Sequence, residues 1–320
     1  MTTARNQQIC LEATPYYHCV SRCVRRTFLC GYDEQSQKSY EHRRGWIEDR
    51  IKQLSAIYCV DICAYAVMSN HYHLVLHINK EQAQSLSKIN VIERWTSLHA
   101  TPVLIQRYLN QELKTQAEFD STHQIIEQWR ERLYDLSWFM RELNFDIAIK
   151  ANQEDKCKGH FWESRYKSQA LLDEKALIAA MAYVDLNPVR SGIAQTPETS
   201  QHTSVKTRID ELKTDQPITP SWLHPFIGEQ SSHNLSGIPL RLIDYLQLVD
   251  WTGREFRQGK YSISDIQPPL LERINLTSKE WLKVCTQLER KRSLFVGTKQ
   301  SLIHAIPQFQ RSRISGYRLN

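Results

Sequence analysis

The residues best placed to do chemistry are His71 and His73, in the run Asn70-His71-Tyr72-His73-Leu74-Val75-Leu76. In a strand, alternate side chains share a face, so the two imidazoles project together while Tyr72 projects the other way. Two neutral imidazoles held that way can grip one divalent cation and leave positions open for a substrate oxygen. The ordinary alternative is a polar pair on a solvated face. His77 shares the face but lies about 13 Å further along the strand, too far to join the same ion. It reads as a structural or surface residue.

The flanking sequence supplies elements to position the pair. Tyr16 to Ser21 reads as a first strand, entered after Pro15. Glu41 to Ile57 reads as an amphipathic helix with Trp46, Ile47, Ile51, Leu54 and Ile57 on one stripe. Strands follow at Asp61–Met68 and His71–Ile78, then helical segments at Lys80–Leu113 and Thr122–Lys150. After a polar break at Asn152–Gly159, a strand centred on Tyr166–Leu171 precedes Asp173, an N-cap for a helix Lys175–Leu186. Pro188 disfavours helical geometry at Asn187, and Gly192 punctuates a turn. Thr196 to Pro220 is polar and proline-containing, a linker, and 221–320 reads as a separate, mostly helical accessory domain. The order strand–helix–strand–strand–helix–strand predicts an α+β class, ferredoxin-like, with an antiparallel sheet and helices on one face. The first domain then spans 1–195, with a helical insertion at about 80–150.

At 320 residues and 41% hydrophobic, the chain can bury one large core or two ordinary ones. No run of 18 apolar residues is present, and Met1–Cys10 is polar with no apolar secretion core, so a cytoplasmic location is expected. The net charge of +6 favours a polyanionic partner. Basic clusters occur at Arg22, Arg25 and Arg26; at Arg43 and Arg44; at Arg290, Lys291 and Arg292; and at Arg311 and Arg313. Tyr16, Tyr17, Phe28, Trp162 and Tyr166 lie near several of them in sequence, the mix that clamps phosphates and stacks bases of single-stranded or hairpin nucleic acid. Solvated basic faces are the alternative. The eight cysteines form no Cys-x-x-Cys pair and read as reduced, buried small hydrophobes. No Gly-x4-Gly-Lys-Ser/Thr loop is present.

Four blocks taken in order, Tyr16-Tyr17-His18-Cys19-Val20-Ser21-Arg22, Met68-Ser69-Asn70-His71-Tyr72-His73-Leu74, Gly159-His160-Phe161-Trp162-Glu163-Ser164-Arg165-Tyr166-Lys167 and Tyr183-Val184-Asp185-Leu186-Asn187-Pro188-Val189-Arg190-Ser191-Gly192, resemble the single-tyrosine HUH transposases. The branch they resemble is the IS200-like one associated with repetitive extragenic palindromes. The resemblance spans about Pro15 to Ile193. It implies that His71 and His73 hold a divalent ion, Mg²⁺ or Mn²⁺, with Asn187 as third ligand. It implies that Tyr183 is the nucleophile that cleaves and rejoins DNA through a covalent 5′-phosphotyrosine. Residues four apart share a helix face, which suits Tyr183 and Asn187.

Tyr166 is the rival tyrosine. Beside Arg165 and Lys167 it is better suited to DNA contact, and Arg190 reads as a phosphate clamp or as a charge favoured at a helix C-terminus. Arg22, Arg25 and Arg26 complete the expected DNA-binding set. The chain departs from the family's compact form in the long span between His73 and Tyr183 and in its last hundred residues. A domesticated DNA-binding protein without cleavage and a metal-dependent nuclease that uses water are the competing readings. A homodimer is compatible with all three.

Overall fold

The structure, a computed structural model, describes residues 7–24, 29–34, 37–213, 222–228, 237–257, 268–289, 293–309 and 316–319. Strand β1 (Tyr16–Arg22) leads through a small hairpin, β2 (Tyr32–Asp33) and β3 (Lys38–Ser39), into helix α1 (His42–Ile57). Strands β4 (Val60–Val67) and β5 (His71–Ile78) follow. The chain then passes through α2 (Lys80–Ser85), α3 (Lys88–Thr96), α4 (Val103–Leu109), α5 (Gln116–Leu133) and α6 (Leu136–Glu154) before returning as β6 (Lys167–Leu171). The sheet order begins β4-β5-β1-β6, every neighbour antiparallel. With α1 and α6 as the crossovers, this is the expected ferredoxin-like arrangement.

Alternation along the strands decides what each face buries. Tyr17, Cys19, Tyr72, Leu74 and Leu76 point to the face covered by Ile47, Ile51 and Leu54 of α1 and by Phe139, Met140, Leu143 and Ile147 of α6. Spacings of three and four put those helical residues on one stripe each. Helices α2 to α5 form a satellite core around Val91, Trp95, Ile105, Ile126 and Trp129. The helical run expected from Thr122 to Lys150 is broken before Leu136. There Asp135 caps α6, accepting from the backbone N–H groups of Ser137 and Trp138 at 2.6 and 3.0 Å.

The opposite face is also covered, which the expectation of helices on one face leaves out. Helix α7 (Glu174–Asp185) is buried along its whole length from Ala176, because its sequence is apolar all round. One side rests on Cys63, Ala64, Ala66 and Val75 of the sheet. Its other side meets the C-terminal region. A short α8 (Asn187–Arg190) follows, then α9 (Ser204–Leu212) inside the stretch expected to be a linker. Helix α9 docks on the sheet through Val205 and Arg208. The C-terminal region supplies α10 (Leu242–Arg257), α11 (Pro269–Arg273), α12 (Ser278–Gln287) and α13 (Lys299–Gln308), as its pattern suggests. It also supplies two strands that the pattern did not suggest, β7 (Phe295–Thr298) and β8 (Gly316–Leu319). These extend the sheet in parallel beyond β6, and Trp281, Leu282 and Cys285 of α12 share a core with α7. No helix among the described residues is long and apolar enough to cross a membrane. None of the eight cysteines is in a disulfide, and six of them are buried.

Candidate metal and nucleophile site

Strand β5 carries His71 and His73 to the α7 face, their ring centroids 4.7 Å apart. Tyr72 points away and donates its hydroxyl to Asn144 Oδ1 at 2.8 Å. Strand β1 pairs with β5 so that Val20 faces His73 and Arg22 faces His71. His18 therefore lies on the same face as the pair, two residues from Val20. In the sequence His18 lies inside the first of the four blocks, with nothing around it to mark a role.

His18 anchors a chain of hydrogen bonds through the buried centre. Gln169 Nε2 lies 2.8 Å from the Ser293 carbonyl, so Gln169 Oε1 is the acceptor for His18 Nδ1, also 2.8 Å away. His18 Nε2 then accepts from His73 Nδ1 at 3.0 Å. That leaves His73 Nε2 unprotonated, accepting from Asn187 Nδ2 at 2.7 Å. The network thus assigns both rings a single neutral tautomer. Burial holds His73 well below the usual imidazole range, with the neighbouring rings of His71 and His18 and the charges of Arg190 and Arg22 acting in the same direction. His18 is lowered chiefly by burial as well. His71 is pushed down to about 3 by burial first, and then by Arg22 and Arg190. All three rings are neutral at ordinary pH, the form that binds metals.

Helix α7 presents Tyr183 over this pair. The N-cap Asp173 accepts from Ala176 N–H at 2.9 Å, and its other oxygen accepts from Thr298 N–H at 2.7 Å, which fixes the helix start to the end of β7. Pro188 ends the regular helix, and Asn187 opens α8 rather than closing α7. The two side chains remain together. The Tyr183 ring lies 5.8 Å from that of His73 and 6.0 Å from that of His18. Arg190 closes the group from above, its guanidinium carbon 4.0 Å from the centre of the Tyr183 ring. Its Nη2 donates to Asn187 Oδ1 at 2.9 Å, and its Nη1 donates to the Cys285 carbonyl.

A residue that sequence reasoning missed completes the site. Glu289, just past the end of α12, accepts from the Tyr183 hydroxyl through Oε2 at 3.3 Å, and its Oε1 lies 3.8 Å from His73 Nδ1. One coordinating atom from each of His71, His73 and Glu289 lies within 4.8 Å of the others. Two imidazoles and a carboxylate are a donor set that suits a divalent cation. Asn187, the ligand implied by the family resemblance, touches His73 but turns its amide nitrogen to the ring and its oxygen to Arg190. Burial pushes the Tyr183 hydroxyl up to about 12. Glu289 adds to that, and Arg190 opposes it.

The other expected residues fall in different places. Arg22 is half-buried at the end of β1 beside His71, and Lys167 is exposed opposite Val20, on the site's face. Arg165 is exposed. Tyr166 is only 8% exposed and sits in the core under α1 and α6, its hydroxyl 3.3 Å from Ser137 Oγ. The DNA contact expected of Tyr166 therefore finds no free ring. It precedes Lys167, and strand alternation sends neighbours to opposite faces. Arg25, Arg26 and Phe28, like Arg290–Arg292, Arg311 and Arg313, lie outside the described residues.

No protein family matches the chain, and neither does any curated protein. Among solved structures, the chain is similar to one described as a REP-associated tyrosine transposase bound to a REP hairpin, at 12% identity and a TM-score of 0.39, over 71% of this chain and 100% of that one. A likeness of that degree does not bear on what this chain does.

Proposed function

We propose that this protein is a metal-dependent tyrosine transposase, one that cleaves and rejoins single-stranded or hairpin DNA. The reading rests on one observation: the Tyr183 hydroxyl, the carboxylate of Glu289 and the ring of His73 meet at a single point on the sheet. The resemblance of the four sequence blocks supports it.

In this reading Tyr183 Oη attacks a DNA phosphorus, forming a Tyr–O–P bond while the bond to the 3′ oxygen breaks. The phenol proton passes to the Glu289 carboxylate that already accepts it. The leaving 3′ oxygen takes a proton from solvent water and departs as a hydroxyl. Bond energy stays in the phosphotyrosine ester, so rejoining is the same step reversed. Arg22, Lys167 and Arg190 supply the positive charge that a phosphodiester entering this face needs. Mg²⁺ or Mn²⁺ would be held by His71 and His73 with Glu289, or with Asn187 once its amide has turned its oxygen inward. When bound it would polarise a phosphoryl oxygen. The domain division at 195 and 220, and pairing into a homodimer, belong to the same proposal.

A second reading, a DNA-binding protein of the same fold that no longer cleaves, is favoured by one feature. Tyr183 is 4% exposed, and its hydroxyl is already engaged by Glu289. Cleavage therefore requires incoming DNA to reach an oxygen that is almost fully covered. Mass spectrometry on protein incubated with single-stranded oligonucleotides from the DNA flanking its own gene separates the two readings. The first gives a nucleotide-bearing peptide containing Tyr183; the second leaves every peptide unmodified.

A further inference from the structure

A second group of metal-binding side chains lies at the far end of the same sheet face. Asp61 of β4 and His77 of β5 are direct register partners, and His77 Nδ1 is 2.8 Å from Asp61 Oδ2. The third member, His224, comes from distant sequence. Its backbone N–H donates to the Ile62 carbonyl at 2.8 Å, and the neighbouring Leu223 forms a parallel bridge with Ile62. The His224 ring then stacks on that of His77, centroids 4.8 Å apart and planes 21° apart, with Nδ1 3.5 Å from Asp61 Oδ2.

We infer that Asp61, His77 and His224 form a structural site for a divalent transition metal of the zinc class. One coordinating atom from each lies within 4.8 Å of the others. Zinc with bonds of about 2.0–2.1 Å needs its ligand atoms roughly 3.3 Å apart, a spacing that the 2.8 and 3.5 Å separations from Asp61 Oδ2 bracket. Two nitrogens and one carboxylate oxygen are donors that zinc takes readily. A water would fill the fourth position.

Three further observations point the same way. His224 is 3% exposed, and its Nε2 has no hydrogen-bond partner among the described residues, an unusual cost for a buried ring that serves packing alone. Asn79 Nδ2 donates to Asp61 Oδ2 at 3.3 Å, the kind of outer contact that orients a ligating carboxylate. Burial also lowers His224, which keeps that ring in its neutral, ligating form.

The consequence is mechanical. Strand β4 is the last strand of the sheet, and on its outer side Leu223 and His224 pair with Ile62 while His202 and Thr203 pair with Val67 and Ala66. An open edge invites pairing with other chains. A metal bound by Asp61, His77 and His224 would clasp the covering segment to the edge strand.

The test uses full-length protein with any polyhistidine tag removed, and zinc alone as the probe. Metal content after equilibrium dialysis is measured for wild type, for His71→Ala/His73→Ala and for His224→Asn. The inference expects the His71→Ala/His73→Ala protein to retain one equivalent of zinc and to melt at a lower temperature in chelator. It expects His224→Asn to bind one equivalent less than wild type. Absence of zinc from the His71→Ala/His73→Ala protein, or equal zinc in wild type and His224→Asn, overturns it. If His224→Asn does not fold, cobalt replaces zinc in the His71→Ala/His73→Ala protein. A visible absorption band that Asp61→Asn abolishes supports the site, and a band that Asp61→Asn leaves unchanged, or no band, overturns it.

Discussion

Tyr183 donates its hydroxyl to Glu289 across 3.3 Å although 106 residues separate them in the chain. The contact joins the last helix of the antiparallel core to the C-terminal region. Gln169 secures that region, donating to the carbonyls of Leu288 and Ser293 on either side of Glu289 while its oxygen receives His18. The imidazole network and the carboxylate are therefore positioned by one buried amide.

Glu289→Gln keeps the size of the side chain and removes its capacity to take a proton. General-base contributions run to about 10²–10⁴-fold, so the cleavage rate should fall by that order while oligonucleotide affinity holds or rises. Losing the carboxylate also removes a charge that raises the Tyr183 hydroxyl. The variant's residual activity should accordingly climb with pH from a lower starting point. An unchanged rate and pH profile would remove Glu289 from the reaction.

His71→Ala and His73→Ala should both abolish metal-dependent cleavage but differ in stability. His71 is only half-buried, at the start of β5, and its loss should leave the melting temperature nearly unchanged. His73 is fully buried between His18 and Asn187. Removing it leaves two buried polar groups unpaired, at about 1–3 kcal/mol each. Thermal melts of the two variants check this. Equal destabilisation, or cleavage that persists in excess chelator, contradicts the assignment.

Acidification should destabilise the fold. His18, His71, His73 and His224 all have folded values lowered by burial, His71 to about 3. Between those values and the unfolded value near 6.5, the unfolded chain binds more protons than the native one. Their stabilising effect is complete above pH 6.5 or so and is lost as pH falls toward the folded values. For His71 alone the loss at pH 5 is about 2 kcal/mol. Melting temperature measured from pH 7.5 down to 5 should drop steadily, and His71→Asn should flatten part of the slope. A flat or rising profile would mean the rings are not neutral in the native state.

Local patterns made much of this legible in sequence. The His71/His73 pair follows from strand alternation, the start of α7 from Asp173, and the closeness of Tyr183 and Asn187 from helical spacing. The order of elements gave the antiparallel core. What stayed hidden depends on contacts between distant segments. Glu289 has no motif around it and becomes a site residue only because α12 packs on α7. His18 owes its role to register with β5. Strands β7 and β8 are short and are recruited by the edge of β6, which no periodicity announces. Tyr166 is a different case: strand alternation places it on the opposite face from Lys167, so nearness to Arg165 and Lys167 in sequence does not bring it to the site. His77 cannot share an ion with His73, and nothing near it in sequence indicates His224.

The most direct measurement is a denaturing gel of wild type and Tyr183→Phe after incubation with end-labelled single-stranded hairpin DNA and Mg²⁺ or Mn²⁺. Wild type should carry label as a covalent species that survives denaturation. Tyr183→Phe should bind the same hairpin with similar affinity and carry none. Label on Tyr183→Phe, or DNA cut by wild type with no covalent species, would contradict the assignment of this tyrosine as the nucleophile.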